Sequence, residues 1–267
     1  MDKSIWIDSI DDIEIEHKSL EENIETDICI VGGGLTGLSI AYYLSKEGRK
    51  VTILEKYKIC NHVSGNTTAK ITSQHDLFYK YLIDSMGIEK AKKYLDANEE
   101  AIKNIEEIIN NEEIECDFEK QDAYIFTQSN QDVEKILEEV KAVSLLGKEC
   151  EYLEEIPISN ILKKMNNVKA AIKFKNQAQF NSCKYAMGLK NAIIENKGEI
   201  YENSKVLDIK KGDNKKYNVI TEKGIVKADK VVLACHYPII NFPRILFYEN
   251  VSRNIIFNCT RNKRRAF

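Results

Sequence analysis

Several features are missing from this 267-residue chain, and each absence removes a class of protein. No apolar run approaches the length that crosses a bilayer, so no membrane span is expected. Residues 1–25 alternate acids with isolated apolar residues. They lack a basic start, an apolar centre and a small-residue cleavage site, so a secretory signal is not read and a cytoplasmic protein is expected. The seven cysteines (Cys29, Cys60, Cys116, Cys150, Cys183, Cys235 and Cys259) are odd in number and never spaced as C-x-x-C. In a reducing compartment that pattern predicts free thiols, several of them buried, and no metal cluster. There is no internal repeat and no low-complexity linker. No Ser-His-Asp, Cys-His or metal-ligand signature occurs either.

Charge is unevenly placed. The chain carries a net −3, yet residues 244–267 hold six Lys or Arg and one acid, a local +5 that leaves −8 for residues 1–243. An acidic body offers no electrostatic footprint for nucleic acid. The paired acids Glu99-Glu100 and Glu106-Glu107 fall on the polar face of an amphipathic helix, where they are solvated charge rather than a catalytic dyad. With 43% hydrophobic and 30% charged residues, the composition is that of a folded globular chain.

What is present begins at Asp27. Residues 27–31 are a short β-branched run that predicts a buried strand. Three glycines follow, then a helical pattern from Leu35 to about Glu47 closed by Gly48, then a second buried strand over 50–54. This is a β-turn-α-β unit, which pairs two parallel strands through a crossover helix. Residues 61–74 read as a long polar loop. Helices are expected over 88–111, with Ala91, Leu95, Ile102, Ile105 and Ile109 as the apolar stripe, and over 132–146, with Val133, Ile136, Val140 and Val143. Strands are expected over 122–127 and 171–174, and a helix over 183–196 capped by Gly198. Residues 205–209, 217–221 and 224–228 read as a meander, and 230–234 as a parallel strand covered on both faces.

The turn has the form Gly32-x-Gly34-x-x-Gly37. Strand, turn, helix, second strand and terminal acid occur in register, which makes the motif far more specific than the glycines alone. Gly32 permits the tight turn, Gly34 lets a pyrophosphate approach the backbone, and Gly37 lets helix and strand pack closely. The helix N-terminus, with Gly33, Leu35 and Thr36 between the key glycines, then faces the phosphates with free amides and a positive dipole end. Glu55 ends the second strand, about 20 residues beyond the first glycine, where a carboxylate accepts hydrogen bonds from ribose hydroxyls and repels a 2′-phosphate. NADP is therefore disfavoured, while NAD and FAD stay open on the turn alone.

Four segments discriminate further: Val31-Gly-Gly-Gly-Leu-Thr-Gly37, Glu55-Lys56, Gly65-Asn66-Thr67-Thr68-Ala69-Lys70, and Ala228 to His236. Together they resemble the D-amino-acid-oxidase-like (DAO) family of FAD-dependent oxidoreductases, more narrowly its bacterial members in which a Rieske iron–sulfur domain follows the flavoprotein part. The resemblance covers about residues 3–243. It implies an α/β fold: a Rossmann-like FAD-binding domain, with a parallel sheet and helices on both faces, and an interleaved, incomplete α+β substrate domain. The expected divisions are an extension over 1–26, FAD-binding parts over 27–85 and 181–243, a helical and substrate part over 86–180, and an aberrant tail over 244–267.

Carried over by position, the resemblance implies FAD as cofactor. Gly32, Gly34 and Gly37 would hold its pyrophosphate, Glu55 with Lys56 beside it the adenosine ribose, and Asn66, Thr67, Thr68, Ala69 and Lys70 the path between pyrophosphate and flavin ring. Val206 would meet the adenine through its backbone. Ala234, Cys235 and His236 would end the strand that returns to the cofactor. The implied activity is oxidation of the CH–NH group of a small-molecule amine or amino acid, the flavin doing the chemistry. No catalytic or substrate-binding residue is assigned. His62, His75 and His236 read as structural and His17 as surface. Two other readings are carried: an FAD-binding fragment without activity, and an NAD-binding dehydrogenase.

Two departures from the family pattern stand out. Ser182-Cys183 replaces a proline and a basic residue after Gln177-Ala178-Gln179-Phe180-Asn181, and nothing recognisable follows Pro243. One choice of codons for residues 244–256 becomes strand-like when its first base is removed, so a single-base insertion after the Pro243 codon is expected. Sequencing the locus is expected to show an open alternative frame downstream of that codon; its absence sinks the frameshift.

Overall fold

The computed structural model describes residues 4–10, 18–154 and 167–235. In chain order the elements are α1 (Ile5–Asp8), β1 (Ile24–Val31), α2 (Leu35–Lys46), β2 (Val51–Leu54), β3 (Lys70–Ile71), α3 (Tyr79–Met86), α4 (Ile88–Asn111) and β4 (Glu119–Thr127). Then follow α5 (Val133–Leu145), β5 (Glu151–Leu153), β6 (Ala170–Gln179), α6 (Ser182–Glu195), β7 (Glu199–Tyr201), β8 (Val206–Lys211), β9 (Tyr217–Thr221) and β10 (Ile225–Leu233). Among these residues, no helix is long and apolar enough to cross a membrane. The expectations for 244–267, His17 and His236 lie outside the described residues.

The chain divides into two compact units, Met1–Gly65 with Leu189–Phe267, and Asn66–Gly188. These borders differ from the sequence divisions after 85 and 180. Residues 66–85 supply β3 and α3, which pair and pack with β6, α4 and α5 of the second unit.

The first unit is an α/β layer on a six-stranded sheet of order β7-β2-β1-β10-β9-β8. Strands β7, β2, β1 and β10 run parallel, as a crossover connection requires, and β9 and β8 close the sheet antiparallel. Its centre is apolar because β1 and β2 are buried nearly throughout: Cys29, Ile30, Val51 and Ile53 are fully covered. Each such Ile or Leu contributes about 1.5–3 kcal/mol by leaving water. Burial also pushes the Cys29 thiol up to about 12, so it is a packed hydrophobe and not a nucleophile. None of the six described cysteines is in a disulfide. Helix α2 turns Gly37, Leu38, Ala41 and Tyr42 inward, with Leu44 only half-buried.

Two expectations for this unit are corrected. Residues 224–228 and 230–234 are one strand, β10. Its first half pairs antiparallel with β9, and its whole length runs parallel to β1, from Ile24 opposite Val226 to Val31 opposite Leu233. Asp229 and Lys230 suggest a break in the sequence, yet the strand runs on through them with both exposed, one on each face. Val231, Val232 and Leu233 are half-buried rather than covered on both faces. The second correction concerns the end of α6. The left-handed residue there is Lys197, at φ +64, not Gly198. Gly198 serves close packing instead, since a Cβ on it would lie 2.4 Å from Ile193 Cγ2.

The second unit holds a four-stranded antiparallel sheet in which β6 is central: β3 and β5 both pair with β6, and β4 pairs along its other side. The expected loop over 61–74 thus contains a short strand, and the strand read over 171–174 runs on to Gln179. The helix expected over 88–111 forms with those bounds, although Ile108 rather than Ile105 completes its buried stripe. Glu99 pairs with Lys148, and Glu106 with Lys120 at 2.7 Å. The exposed Lys120 pair adds at most about 1 kcal/mol, whereas Glu99 and Lys148 are mostly buried, so Glu99 is not the solvated charge expected from the sequence. Tyr79, Leu82, Ala91, Leu95, Ile136, Val143, Ile172 and Phe174 form the core.

Helix α3 is absent from the sequence expectations, and its start shows why it forms. Glu139 of α5 is fully buried, and its carboxylate accepts from the amides of Phe78 at 2.9 Å, Tyr79 at 2.8 Å and Lys80 at 2.9 Å. One side chain from another helix therefore meets the orphan donors of the first turn, where a negative charge also suits the helix dipole. Replacing Glu139 with Ala is expected to lower stability by about 2–4 kcal/mol, because several buried N–H groups lose their acceptor together. Urea unfolding of both proteins measures this, and a loss below about 1 kcal/mol contradicts it.

Candidate dinucleotide-binding site

The glycine turn is shaped by contacts that leave no room for side chains. Gly32 ends β1, and its N–H donates to Leu54 O of β2 at 2.9 Å. Its φ is +111°, a value that favours glycine, and a Cβ there would meet Ala234 O at 2.7 Å. A Cβ on Gly37 would lie 2.0 Å from Gly32 O, so α2 crosses the end of β1 closer than any other residue allows. Gly34 differs. It is the N-cap of α2 with φ −82° and ψ −179°, an extended conformation open to any residue, and a Cβ there would touch only Ser64 Oγ at 3.0 Å. Steric need fixes Gly32 and Gly37, whereas Gly34 keeps clear the space in front of the helix.

Two amides at its edge are held by side-chain acceptors. The first helical amide, Leu35 N, donates to Ser64 Oγ at 3.0 Å, and Gly33 N donates to Glu55 Oε2 at 2.7 Å. Thr36 is exposed at the mouth, and Gly33 lies against the Glu55 side chain. Gly34 has no side chain to cap its helix. The helix begins with its positive end facing an opening kept free of side-chain bulk.

Glu55 is buried, and its other oxygen, Oε1, accepts from Tyr57 N at 2.9 Å. The loop it opens is pinned to the segment after β7: Glu55 N donates to Tyr201 O at 2.9 Å, Ser204 N to Glu55 O at 2.8 Å and Asn203 N to Tyr57 O at 2.9 Å. Glu202 adds a buried carboxylate that accepts from Ile59 N at 2.8 Å. Lys190 is buried near it. Burial holds that ammonium below the ordinary lysine value, and the Glu202 carboxylate pulls the other way.

The remaining sequence candidates fall as follows. Lys56 is exposed, with its Nζ 4.4 Å from the centre of the Tyr57 ring. Asn66, Thr67, Thr68, Ala69 and Lys70 belong to the second unit. There the Thr67 hydroxyl accepts from Ala69 N at 3.2 Å, Ala69 is left-handed at φ +55°, and Lys70 opens β3. Val206 is buried and opens β8 opposite Thr221. Ala234 follows β10, its N–H donating to Val31 O at 2.9 Å, and Cys235 is half-buried beside Gly32. His62 packs on the Tyr57 ring and His75 is exposed. The sequence reading missed Ser64 and Glu202. Ser64 was marked only by the Ser and Thr richness of its loop; Glu202 carried no local signal.

A six-stranded sheet with a glycine turn, a helix N-terminus and a strand-end carboxylate defines a Rossmann-type dinucleotide-binding protein. The profile of the DAO family, FAD dependent oxidoreductase, matches residues 27–243, and the chain belongs to that family. YhfW of Bacillus subtilis (strain 168), a protein named for a Rieske 2Fe-2S centre, is 36% identical over 220 residues, 82% of this chain and 42% of its own length. Gamma-glutamylputrescine oxidoreductase of Escherichia coli (strain K12) is 28% identical over 218 residues, 81% of this chain and 50% of its own. In fold, the chain is similar to glycine oxidase from Bacillus cereus ATCC 14579, with a TM-score of 0.59 and 22% identity over 78% of this chain and 55% of that one. The chain thus spans about half the length of the relatives it matches.

The family cofactor is FAD, and the residues present fit its diphosphate: a helix N-terminus with no side-chain cap, fronted by Gly34, where a Cβ would narrow the opening. The two glycine types should separate by experiment. Gly37→Ala is expected to cost about 1–3 kcal/mol of stability, because the helix must move off the strand. Gly34→Val is expected to stay within about 1 kcal/mol of the parent and yet weaken FAD binding about 100-fold. Thermal melts and FAD titration read both; equal FAD affinity in Gly34→Val and the parent contradicts the cradle.

Proposed function

We propose that this chain is the FAD-holding part of an oxidoreductase that oxidises the CH–NH group of a small-molecule amine or amino acid. The observation that carries the cofactor half is the glycine turn, with Gly33 N on the Glu55 carboxylate and the α2 N-terminus kept open by Gly34. Membership of the DAO family, together with relatives named as oxidising an amine or glycine, supports the donor half.

In this reading, the pyrophosphate sits before the α2 N-terminus at Gly34, where charge-assisted bonds are stronger than neutral ones, while the Gly32 and Gly33 amides stay on Leu54 O and Glu55 and hold the turn in shape. Ser64 stands beside Leu35 N at the same place. Glu55 accepts from the adenosine ribose with the lone pairs its two internal bonds leave over, and Lys56 lies beside it. The backbone of Val206 meets the adenine. Residues 66–70 and Ala234, Cys235 and His236 carry the flavin-side roles that the family resemblance implies. When bound, FAD supplies the redox chemistry by accepting hydride from the carbon beside the amine. The chain's part is to bind and orient it.

The test is the purified chain itself. Visible flavin absorption with about one FAD per chain is expected, and bleaching by an amine or amino-acid donor without oxygen would establish turnover. Bound flavin with no bleaching by any donor supports a binding fragment without activity. A colourless chain that instead binds NAD, read by quenching of nicotinamide fluorescence, overturns the flavin assignment.

A further inference from the structure

One element of the first unit has no part in the site described above. Helix α1 is a single turn of four residues, Ile5–Asp8. It is capped at both ends: Ser4 Oγ accepts from Trp6 N at 3.3 Å, and Ser9 Oγ donates to Trp6 O at 2.7 Å. Caps do not hold so short a helix in water, where even 12 residues are marginal. It needs a surface to dock on, and the structure shows one. A Cβ on Gly65 would lie 2.8 Å from Ile7 Cγ1 and 3.0 Å from Ile7 Cδ1, so the Ile7 side chain is seated directly on that buried glycine.

Gly65 is next in the chain to Ser64, whose hydroxyl receives the first amide of α2. The loop between β2 and Gly65 is held under strain. Cys60 is left-handed at φ +61°, an arrangement that costs about 1–3 kcal/mol and persists only where its surroundings enforce it. On one side the enforcement is Glu202 on Ile59 N and Gly33 O on Cys60 N. On the other side the Cys60 carbonyl lies close over Gly65, on which Ile7 also rests. The same position admits no side chain in place of Gly65, because a Cβ would also lie 2.1 Å from Cys60 O.

We propose that α1 is a strap on the nucleotide loop: Ile7, seated on Gly65, keeps Ser64 against the Leu35 amide and so sets how fast the site opens to release its dinucleotide. The strap rests on the flavin reading for its ligand and on the Ile7–Gly65 contact for its mechanism. Ile7 is a positioning residue. To the extent that the strap tightens equilibrium binding as well as slowing release, a bound dinucleotide stabilises docked α1 by the same factor.

Trp6, the chain's single tryptophan, sits on α1 and reports its docking directly. The full chain is compared with Ile7→Asp, Ile7→Ala and the conservative Ile7→Leu. FAD release is followed by recovery of flavin fluorescence after dilution. Acrylamide quenching of Trp6 is measured with and without FAD, as is tryptic cleavage at the exposed Lys56 and Lys58. Release is expected to quicken about tenfold in Ile7→Asp, several-fold in Ile7→Ala and less than about twofold in Ile7→Leu, with FAD lowering Trp6 quenching in the parent. Unchanged release from Ile7→Asp and Ile7→Ala overturns the strap while leaving the flavin reading intact. Should the parent take up no FAD, the flavin reading fails and the strap is judged alone. It then stands if Ile7→Ala raises both Trp6 quenching and cleavage at Lys56 or Lys58, and falls otherwise.

Discussion

The first unit depends on one close approach, that of Gly37 to the carbonyl of Gly32. With 2.0 Å between that oxygen and the place of a Cβ, helix α2 can lie across the end of β1 only because Gly37 lacks a side chain. The consequence is directional. A helix set down at that distance starts beside the strand end, where the Gly33 amide meets Glu55 and the Leu35 amide meets Ser64. Had the helix stood off by the width of a methyl group, the same amides would face solvent separately. Packing at Gly37 is therefore a precondition of binding at Gly34, although only the second is proposed to meet a ligand.

Strand β10 extends this constraint across the chain. Its parallel register with β1 brings Ala234 and Cys235 to Gly32, about 200 residues away in sequence, and Ala234 O occupies the space that a side chain on Gly32 would need. The positive φ of Gly32 is thus enforced from two sides, by the helix and by the end of the returning strand. Because the same strand also pairs with β9, the meander and the nucleotide turn share one rigid element.

Much of the first unit was legible in the sequence because its signals are local. Continuous β-branched runs mark β1 and β2, and the glycine spacing marks the turn and its helix. What was not legible depends on partners distant in sequence. Helix α3 takes its cap from Glu139, about 60 residues downstream, so no capping residue adjoins it in the chain. Strand β7 has only three residues and gains its meaning by pairing with β2. Asp229-Lys230 reads as a break because two successive polar residues end most strands, whereas here β1 alongside keeps the strand intact. Ser64 was hidden for a related reason: its loop has no period, and only the fold shows which hydroxyl meets the helix.

Carboxylates do the internal joinery at both centres, and the two differ in what they have left to give. Glu139 is fully buried and takes three backbone amides and the Gln74 side chain, so its accepting capacity is close to saturated. Glu55 takes one amide on each oxygen, from Gly33 and from Tyr57, and keeps a lone pair on each. A group that is saturated can only hold structure, whereas one that is half used can hold structure and still receive a hydroxyl. On the proposed reading, this links the sugar to the phosphate cradle through a single residue. A ribose hydroxyl donating to Glu55 would draw on the same carboxylate that fixes Gly33, so ordering of the sugar and ordering of the turn reinforce each other. A glutamine there would keep the shape and one accepting oxygen but offer an NH₂ to the other amide, which is why a carboxylate, and not merely an acceptor of that size, suits this position.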